Sequence, residues 1–293
     1  MISIHMLPAG KGDCFLLAMQ DMDNTQLLVI DSGLAGTIKF LKPRLNDLMA
    51  KYDCDIHMLL THIDQDHIGG YKALFKDSSF KNYNRIAGFY YNTTESLKKL
   101  VPGLTPTMLE DDDRIFLDTK TSLQDAVTLE KLLQDKEVSV FTGLKTGYPI
   151  TFCSNMQAVV LSPSAKTLLK YKAWIESQTA LLESGLPTAA DITDYNEPLG
   201  TLMSNPFNPT TTITNASSIS VLIEACERRL LFLGDSCPAD IVAALRNQGY
   251  SESSPLEVDV VKVSHHGSKH NTSSEMLRLI RGKYFLISGS GGK

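Results

Sequence analysis

The sequence predicts one α/β domain that fits a four-layer αββα sandwich carrying an insertion. Three observations predict it. Strand and helix signals alternate along most of the chain. Three groups of metal-capable polar side chains each follow directly on an apolar run that reads as a strand. The segment 165–212 interrupts the alternation, which then resumes.

Composition narrows the class. At 293 residues and 43% hydrophobic content the chain can fill a real core. No stretch approaches the length needed to span a bilayer, and no basic-then-apolar leader opens the chain, so no membrane partner is expected and the cytoplasm is the default location. A formal charge of −5 argues against an extended DNA-coating surface, although a metal site would bring positive charge of its own. Cys14, Cys54, Cys153, Cys226 and Cys237 lack C-x-x-C spacing and read as buried apolar residues in a reducing compartment.

The N-terminal half begins with strands at Ile2–Leu7, Asp13–Met19 and Gln26–Ile30. The Gly10-Lys11-Gly12 turn between the first two lacks the spacing and the Ser/Thr of a phosphate loop, so it reads as a hairpin turn. Apolar residues at Ile38, Leu41, Leu45, Leu48 and Met49 predict a covering helix. A buried strand at Ile56–Leu60 then runs into Thr61-His62-Ile63-Asp64-Gln65-Asp66-His67-Ile68-Gly69-Gly70, with a helix able to begin at Tyr71.

That loop holds four metal-capable side chains in six positions. Extended backbone sends His62 and Asp64 to one side, and Asp66 and His67 can serve a second ion. Imidazole with carboxylate suits zinc, manganese or iron better than magnesium or calcium. The plain alternative, aspartates capping the next helix, accounts for one carboxylate and neither histidine.

Further strands are predicted at Arg85–Tyr91, Val138–Phe141, 147–150 and Met156–Leu161, with helices opening at Asn92 and over Leu123–Leu133. Asp111-Asp112-Asp113 reads as a solvated loop. Lys166–Leu182 looks helical, and 184–212 is rich in Gly, Pro, Asn and Thr; together they are read as an insertion or lid over 165–212. Its Lys166, Lys170 and Lys172 could touch an anionic substrate or be solvated helix charges. Strands resume at Ser218–Ile223 and Arg229–Leu233, the latter ending in Gly234-Asp235-Ser236. Alone, that Asp235 is as readily a turn residue as a ligand. The strand Val258–Val263 leads into Ser264-His265-His266-Gly267-Ser268-Lys269-His270, where three histidines in six positions do not fit core packing. His265, first after the strand, is the candidate ligand. His266 is a second ligand candidate, a hydrogen-bond donor or a proton carrier; Lys269 and His270 are weaker candidates.

His62-x-Asp64-x-Asp66-His67 with Gly69-Gly70, joined by His265-His266-Gly267-Ser268, resembles the motifs of metallo-β-lactamase-fold hydrolases. Asp64 stands where the usual form has His, a variant similar to the metal-hydrolase domain of ComEC-type proteins. The Gly-x-Gly-Asp turn ending at Asp13, the Asp31-Ser32-Gly33 turn that would brace the metal loop, and Leu161-Ser162-Pro163 resemble the same group. The matches cover most of residues 1–293 outside the insertion, read as a single domain. The resemblance implies two divalent ions, zinc or manganese: His62 and Asp64 at one, Asp66, His67 and His265 at the other, and Asp235 bridging. Around Asn215 the chain departs from relatives that carry a further ligand histidine there.

An ion of this kind lowers the pKa of bound water toward neutrality, which implies a hydroxide nucleophile, with His266 or Lys269 stabilising charge and Asp66 at the reacting centre. On the resemblance, a phosphodiesterase or nuclease acting on DNA or RNA is expected. A small-molecule phosphodiesterase or lactonase would use the same ions, and a regulatory module with a degraded site is the third class. The Gly-rich ending at Lys293 is read as a processing point for a protease, with a C-terminal segment beyond it as a partner of the site.

Overall fold

The computed structural model describes residues 1–21, 24–100, 115–116, 122–154, 156–184 and 211–289. Strands β1 (Ile2–Met6), β2 (Phe15–Asp21), β3 (Asn24–Ile30), β4 (Ile56–Leu59), β5 (Ile86–Tyr90) and β7 (Val140–Phe141) form one sheet in that spatial order. β8 (Pro149–Cys153), β9 (Met156–Ser162), β11 (Ser220–Ala225), β12 (Arg228–Phe232), β13 (Leu256–Lys262) and β14 (Ile280–Leu286) form the second, in the order β14-β13-β12-β11-β9-β8. The short β6 (Ile115–Phe116) and β10 (Thr211–Thr212) pair with each other. β1, β2 and β3 are antiparallel, and β3, β4, β5 and β7 parallel; in the second sheet β8, β9, β11 and β12 are antiparallel and β12, β13 and β14 parallel.

Side-chain alternation builds the layers. Along β2, Phe15, Leu17 and Met19 enter the core between the sheets, while Leu16 and Ala18 face outward into a second core. β3 divides likewise, with Leu28 and Ile30 inside and Leu27 and Val29 outside. In the other sheet Val221, Ile223, Leu230 and Phe232 face the inter-sheet core, and Leu222, Leu231 and Leu233 face a third. Phe15 and Phe232 meet edge-on across the sheets, centroids 5.5 Å apart. Strands buried on both faces read as continuous apolar runs, as these do.

Helices close both outer faces. α1 (Ile38–Tyr52), α2 (Gln65–Lys76), α4 (Ser122–Asp135) and α5 (Ala165–Ser184) cover the first sheet, with α3 (Thr94–Lys98) packed on α5. α7 (Pro238–Asn247) and α8 (Ser274–Arg278) cover the second, and α6 (Ile213–Ala216) leads into β11. The fold is thus the four-layer αββα sandwich the sequence predicts. α5, the first part of the 165–212 segment, buries Leu168, Tyr171, Trp174 and Ile175 in the core outside the first sheet. The Asp111–Asp113 loop, positions 185–210 and the ending at Lys293 lie outside the described residues. Among the described residues no helix is long and apolar enough to cross a membrane.

One boundary differs from expectation. α2 begins at Gln65, not Tyr71, so Asp64 is its N-cap and Asp66 and His67 lie in its first turn. Gly69 and Gly70 therefore sit inside the helix. A Cβ at Gly70 would stand 2.1 Å from the Ser32 carbonyl oxygen, and one at Gly69 2.7 Å from the Ala35 nitrogen. Close packing on the 32–35 turn, rather than helix termination, is what these glycines serve.

Candidate metal centre

Ligands in open α/β sheets gather at the carboxyl ends of parallel strands. Here four such ends converge: Ile30 pairs with Leu59 in the first sheet and Phe232 with Lys262 in the second. The chain leaves them through Asp31, His62, Asp235 and His265-His266 respectively.

Asp31 is fully buried and holds the left-handed backbone region, with φ of 57°. Its carboxylate accepts hydrogen bonds from the Thr61 amide and hydroxyl, each 2.8 Å, and from His67 Nδ1 at 2.8 Å. The brace expected of Asp31-Ser32-Gly33 is therefore present; the Ser32 hydroxyl adds a 2.7 Å bond to the His67 carbonyl.

The hydrogen-bond partners orient all four imidazoles. Thr61 Oγ1 donates to Asp31, and His62 Nδ1 lies 3.0 Å from both that oxygen and Ser218 Oγ. His67 Nδ1 donates to Asp31. Asn271 donates through Nδ2 to the carbonyls of Asp235 and Ser236, leaving Oδ1 to accept from His265 Nδ1 at 2.8 Å. Ser288 Oγ donates to Asp13 and accepts from His266 Nδ1 at 3.1 Å. With each Nδ1 engaged by an oxygen of the protein, each Nε2 is turned to the site and offers a lone pair there when the ring is the neutral Nδ1–H tautomer.

Those four nitrogens converge on one atom. Asp235 Oδ2 lies 3.9 Å from His62 Nε2, 3.6 Å from His67 Nε2, 3.7 Å from His265 Nε2 and 3.9 Å from His266 Nε2. These are too long for hydrogen bonds. Two ligands bound at about 2.1 Å to one ion stand roughly 3–3.5 Å apart, so modest tightening would close each pair over a cation. Nε2 of His62, His67 and His266 and Oδ1 of Asp235 are buried without a hydrogen-bond partner, the condition an ion would relieve. Two further carboxylates complete the rim: Asp64 Oδ2 is 3.8 Å from His62 Nε2, and Asp66 Oδ2 is 3.9 Å from His266 Nε2. Among the described residues four groupings have ligand atoms close enough to share an ion: His62, His67 and Asp235; Asp66, His67 and His266; Asp235, His265 and His266; and Asp13, Asp31 and His67. The residues present fit divalent ions.

Electrostatics agree with that fit. Burial pushes the His62 pKa down to about 4, which keeps the ring neutral and able to ligate. Burial also opposes charge on His67, but Asp235 and Asp31 outweigh it and hold that pKa well above the ordinary value, so without an ion the ring keeps a proton on Nε2 that a metal would displace. The Asp235 carboxyl is held far below its usual range: the surrounding imidazoles, His265 and His67 foremost, overcome the desolvation that burial imposes.

His265 and His266 both occupy left-handed backbone, with φ of 45° and 55°, which costs on the order of 1–3 kcal/mol each. The His265 amide donates 2.9 Å to the Gly234 carbonyl and its own carbonyl accepts 2.8 Å from Ser268, so the turn is pinned. The strained turn aims both rings inward, at different depths. His266 stands with Asp66 and His67, its side chain 19% exposed, whereas His265 stands over Asp235 nearer solvent at 34%. Lys269 is half-buried and opens the short turn Lys269–Asn271 that carries Asn271; His270 follows it. On α5, Lys172 faces Glu176 at 3.9 Å and donates to the Leu100 carbonyl. Asn215 is buried on α6, its Oδ1 without a hydrogen bond.

Sequence reading passes over several members of this site. Lys262, the last residue of β13, is 1% exposed and ion-paired with the equally buried Asp13. Burial opposes charge on both; Asp13 and Asp235 nonetheless raise the Lys262 pKa, and Lys262 lowers that of Asp13. The signal was a lone cation inside Val258–Val263. Ser218, whose Oγ lies 3.0 Å from His62 Nδ1 and accepts from the Asp235 amide, and Ser288 carry no signal in the sequence.

No known family profile matches the chain, and no curated protein does. Among solved structures it is similar to a long-form RNase Z from yeast at 13% identity and a TM-score of 0.37, over 89% of this chain and 32% of that one. The chain thus spans about a third of the length of the structure it matches. At that level of likeness the layers and the site stand on this chain's own geometry.

Proposed function

We propose that the chain is a divalent-metal-dependent hydrolase of phosphodiester bonds, with DNA or RNA as substrate. The observation that carries the metal part is the convergence of four imidazole Nε2 atoms on Asp235 Oδ2. In this reading His62 and Asp64 hold one ion, Asp66, His67 and His266 hold the second, and Asp235 joins them. Zinc or manganese suits the imidazole–carboxylate donors. Bound there, the ions would lower the pKa of water and neutralise charge developing on the phosphoryl oxygens.

The chain's own residues supply the rest. Asp31, Asn271 and the Ser288–Asp13 pair hold the ring orientations through Nδ1, so no reorganisation is needed as charge develops. His265, over Asp235 and nearest solvent, is left to take the proton of the attacking water on Nε2 and return it to the leaving oxygen. This differs from the sequence expectation that His265 ligates and His266 acts in catalysis, and it is supported by the grouping of His266 with Asp66 and His67. Lys11 is exposed beside Gly12, which packs on the Asp66 backbone, so a cation stands near the mouth where a phosphate could lie. The polynucleotide part is supported by the resemblance to ComEC-type domains.

Metal analysis of the purified chain followed by nuclease assays in that metal tests the proposal. Cleavage of DNA or RNA that weakens as salt rises is expected. Intact nucleic acid alongside hydrolysis of a small phosphodiester or a lactone would give the site to a small-molecule hydrolase. A chain that takes up neither zinc nor manganese would defeat the metal reading.

A further inference from the structure

We propose that Lys262, paired with Asp13, is a positioning residue of the metal centre: it fixes the orientation of the Asp235 carboxylate toward the imidazoles and, through Asp13 and Ser288, the ring of His266. The inference rests on the two-ion reading above and adds to it a residue that contacts neither ion nor substrate.

A lysine within a sheet core is costly unless its charge is matched. Lys262 is sealed from solvent, and its Nζ has three neighbours: the Asp13 carboxylate, the Gly234 carbonyl at 3.1 Å and Asp235 Oδ1 at 3.8 Å. The two oxygens of Asp235 are thereby divided. Oδ2 faces four imidazoles, and Oδ1 faces the ammonium without any hydrogen bond. The two oxygens are equivalent, so exchanging them changes nothing, but tilting the carboxylate plane away from the ammonium would withdraw an oxygen from the imidazoles and so the shared ligand from one ion. Asp13 is divided too: Oδ2 meets Lys262, while Oδ1 accepts from Ser288 and lies 3.5 Å from His266 Nδ1. The Ser288 oxygen that accepts from His266 is held by that bond. One ammonium thus sets the bridging carboxylate on one side and the His266 ring on the other.

Charge points the same way. Asp13, Asp31, Asp64, Asp66 and Asp235 bring five negative charges to the centre, and two divalent ions bring four positive ones. Lys262 supplies the fifth. Charge alone, however, makes the opposite prediction for its removal: deleting a cation beside two metal ions should tighten their binding. A positioning role predicts looser binding.

Cobalt(II) titration followed by absorption spectroscopy separates the two, with wild type, Lys262→Met, Lys262→Arg and Asp13→Asn compared after circular dichroism has established folding. Wild type is expected to take up two ions. Lys262→Met should bind one of them at least tenfold more weakly and change the ligand-field spectrum, and Lys262→Arg should restore much of both. Should Lys262→Met fail to fold, Asp13→Asn, nearly isosteric, should show the same weakening with a smaller spectral change. Two ions bound with unchanged or higher affinity and an unaltered spectrum in the folded variant would overturn the positioning role and leave the two-ion reading intact. Failure of wild type itself to bind cobalt would overturn both.

Discussion

A histidine can ligate, relay a proton or pack, and the neighbours of each ring around this centre separate these uses. His266 and His265 are adjacent, yet Nδ1 of one is held by Ser288 and of the other by Asn271, and only His266 groups with Asp66 and His67. His266→Ala is therefore expected to lose one ion per folded chain, measured by metal analysis. His265→Ala should keep both ions and lose turnover by roughly 10²–10⁴-fold, the range for a general acid or base. Equal ion loss in the two variants would make both ligands. His57 shows the third use. It lies buried between the sheets, 5.3 Å edge-on from Phe152, with Nδ1 3.5 Å from the Tyr90 hydroxyl, and burial pushes its pKa down to about 4. A histidine kept neutral in the fold takes up a proton more readily when unfolded, so its contribution is complete above pH 6.5 and is lost as pH falls toward 4. The loss should reach about 3 kcal/mol over that interval. Denaturant unfolding at a series of pH values should show this slope in the wild type and a flatter one in His57→Leu; equal slopes would remove His57 as the cause.

Elements place the site through contacts of backbone on backbone, and glycines mark them. A Cβ at Gly12 would stand 1.6 Å from the Asp66 carbonyl oxygen, so the β1–β2 turn lies directly against the first turn of α2. Gly12→Ala and Gly70→Ala are each expected to cost about 3 kcal/mol, the upper end for over-packing, and the first should also weaken metal binding. Gly36→Ala, with nothing within 4 Å, should stay within about 0.5 kcal/mol and serves as the control for thermal unfolding. Trp174→Ala on α5 should cost about 3–5 kcal/mol, because that side chain is 1% exposed and stacked on Tyr171. A cost below about 1 kcal/mol would mean the helix is a removable cover. The strands and the clusters of metal-capable side chains were legible because apolar runs and clustered histidines are local signals. The early start of α2 was hidden, since Gly69-Gly70 reads as a helix stop until the 32–35 turn beneath it is known. Asp13, Lys262, Ser218 and Ser288 were hidden for the same kind of reason: their roles arise from partners up to 275 positions away.

At the scale of the molecule the centre is a seam. His62, Asp64, Asp66 and His67 leave strand ends of one sheet, and Asp235, His265 and His266 leave strand ends of the other. Protein contacts already cross it near the site, including the Asp13–Lys262 ion pair, the Ile219 amide on the Thr61 carbonyl at 3.0 Å, and Ser218 on His62. What remains uncompensated is charge, since five buried or half-buried carboxylates gather around Lys262 and a protonated His67. Ions binding between the sheets would both neutralise that excess and join the halves, so they should stabilise the folded chain by mass action. An ion present at a hundredfold its dissociation constant adds about 2.7 kcal/mol. For a chain of this size that corresponds to a rise in Tm of roughly 4 °C for each site so filled. Differential scanning calorimetry with zinc or manganese, then with a chelator, is expected to show that rise and its full reversal. Asp235→Asn should abolish most of the rise, because it weakens the one carboxylate shared by both groups of ligands, and His265→Ala should retain it. A metal-independent Tm in the wild type, or a rise that survives Asp235→Asn unchanged, would mean that the seam is closed by protein contacts alone.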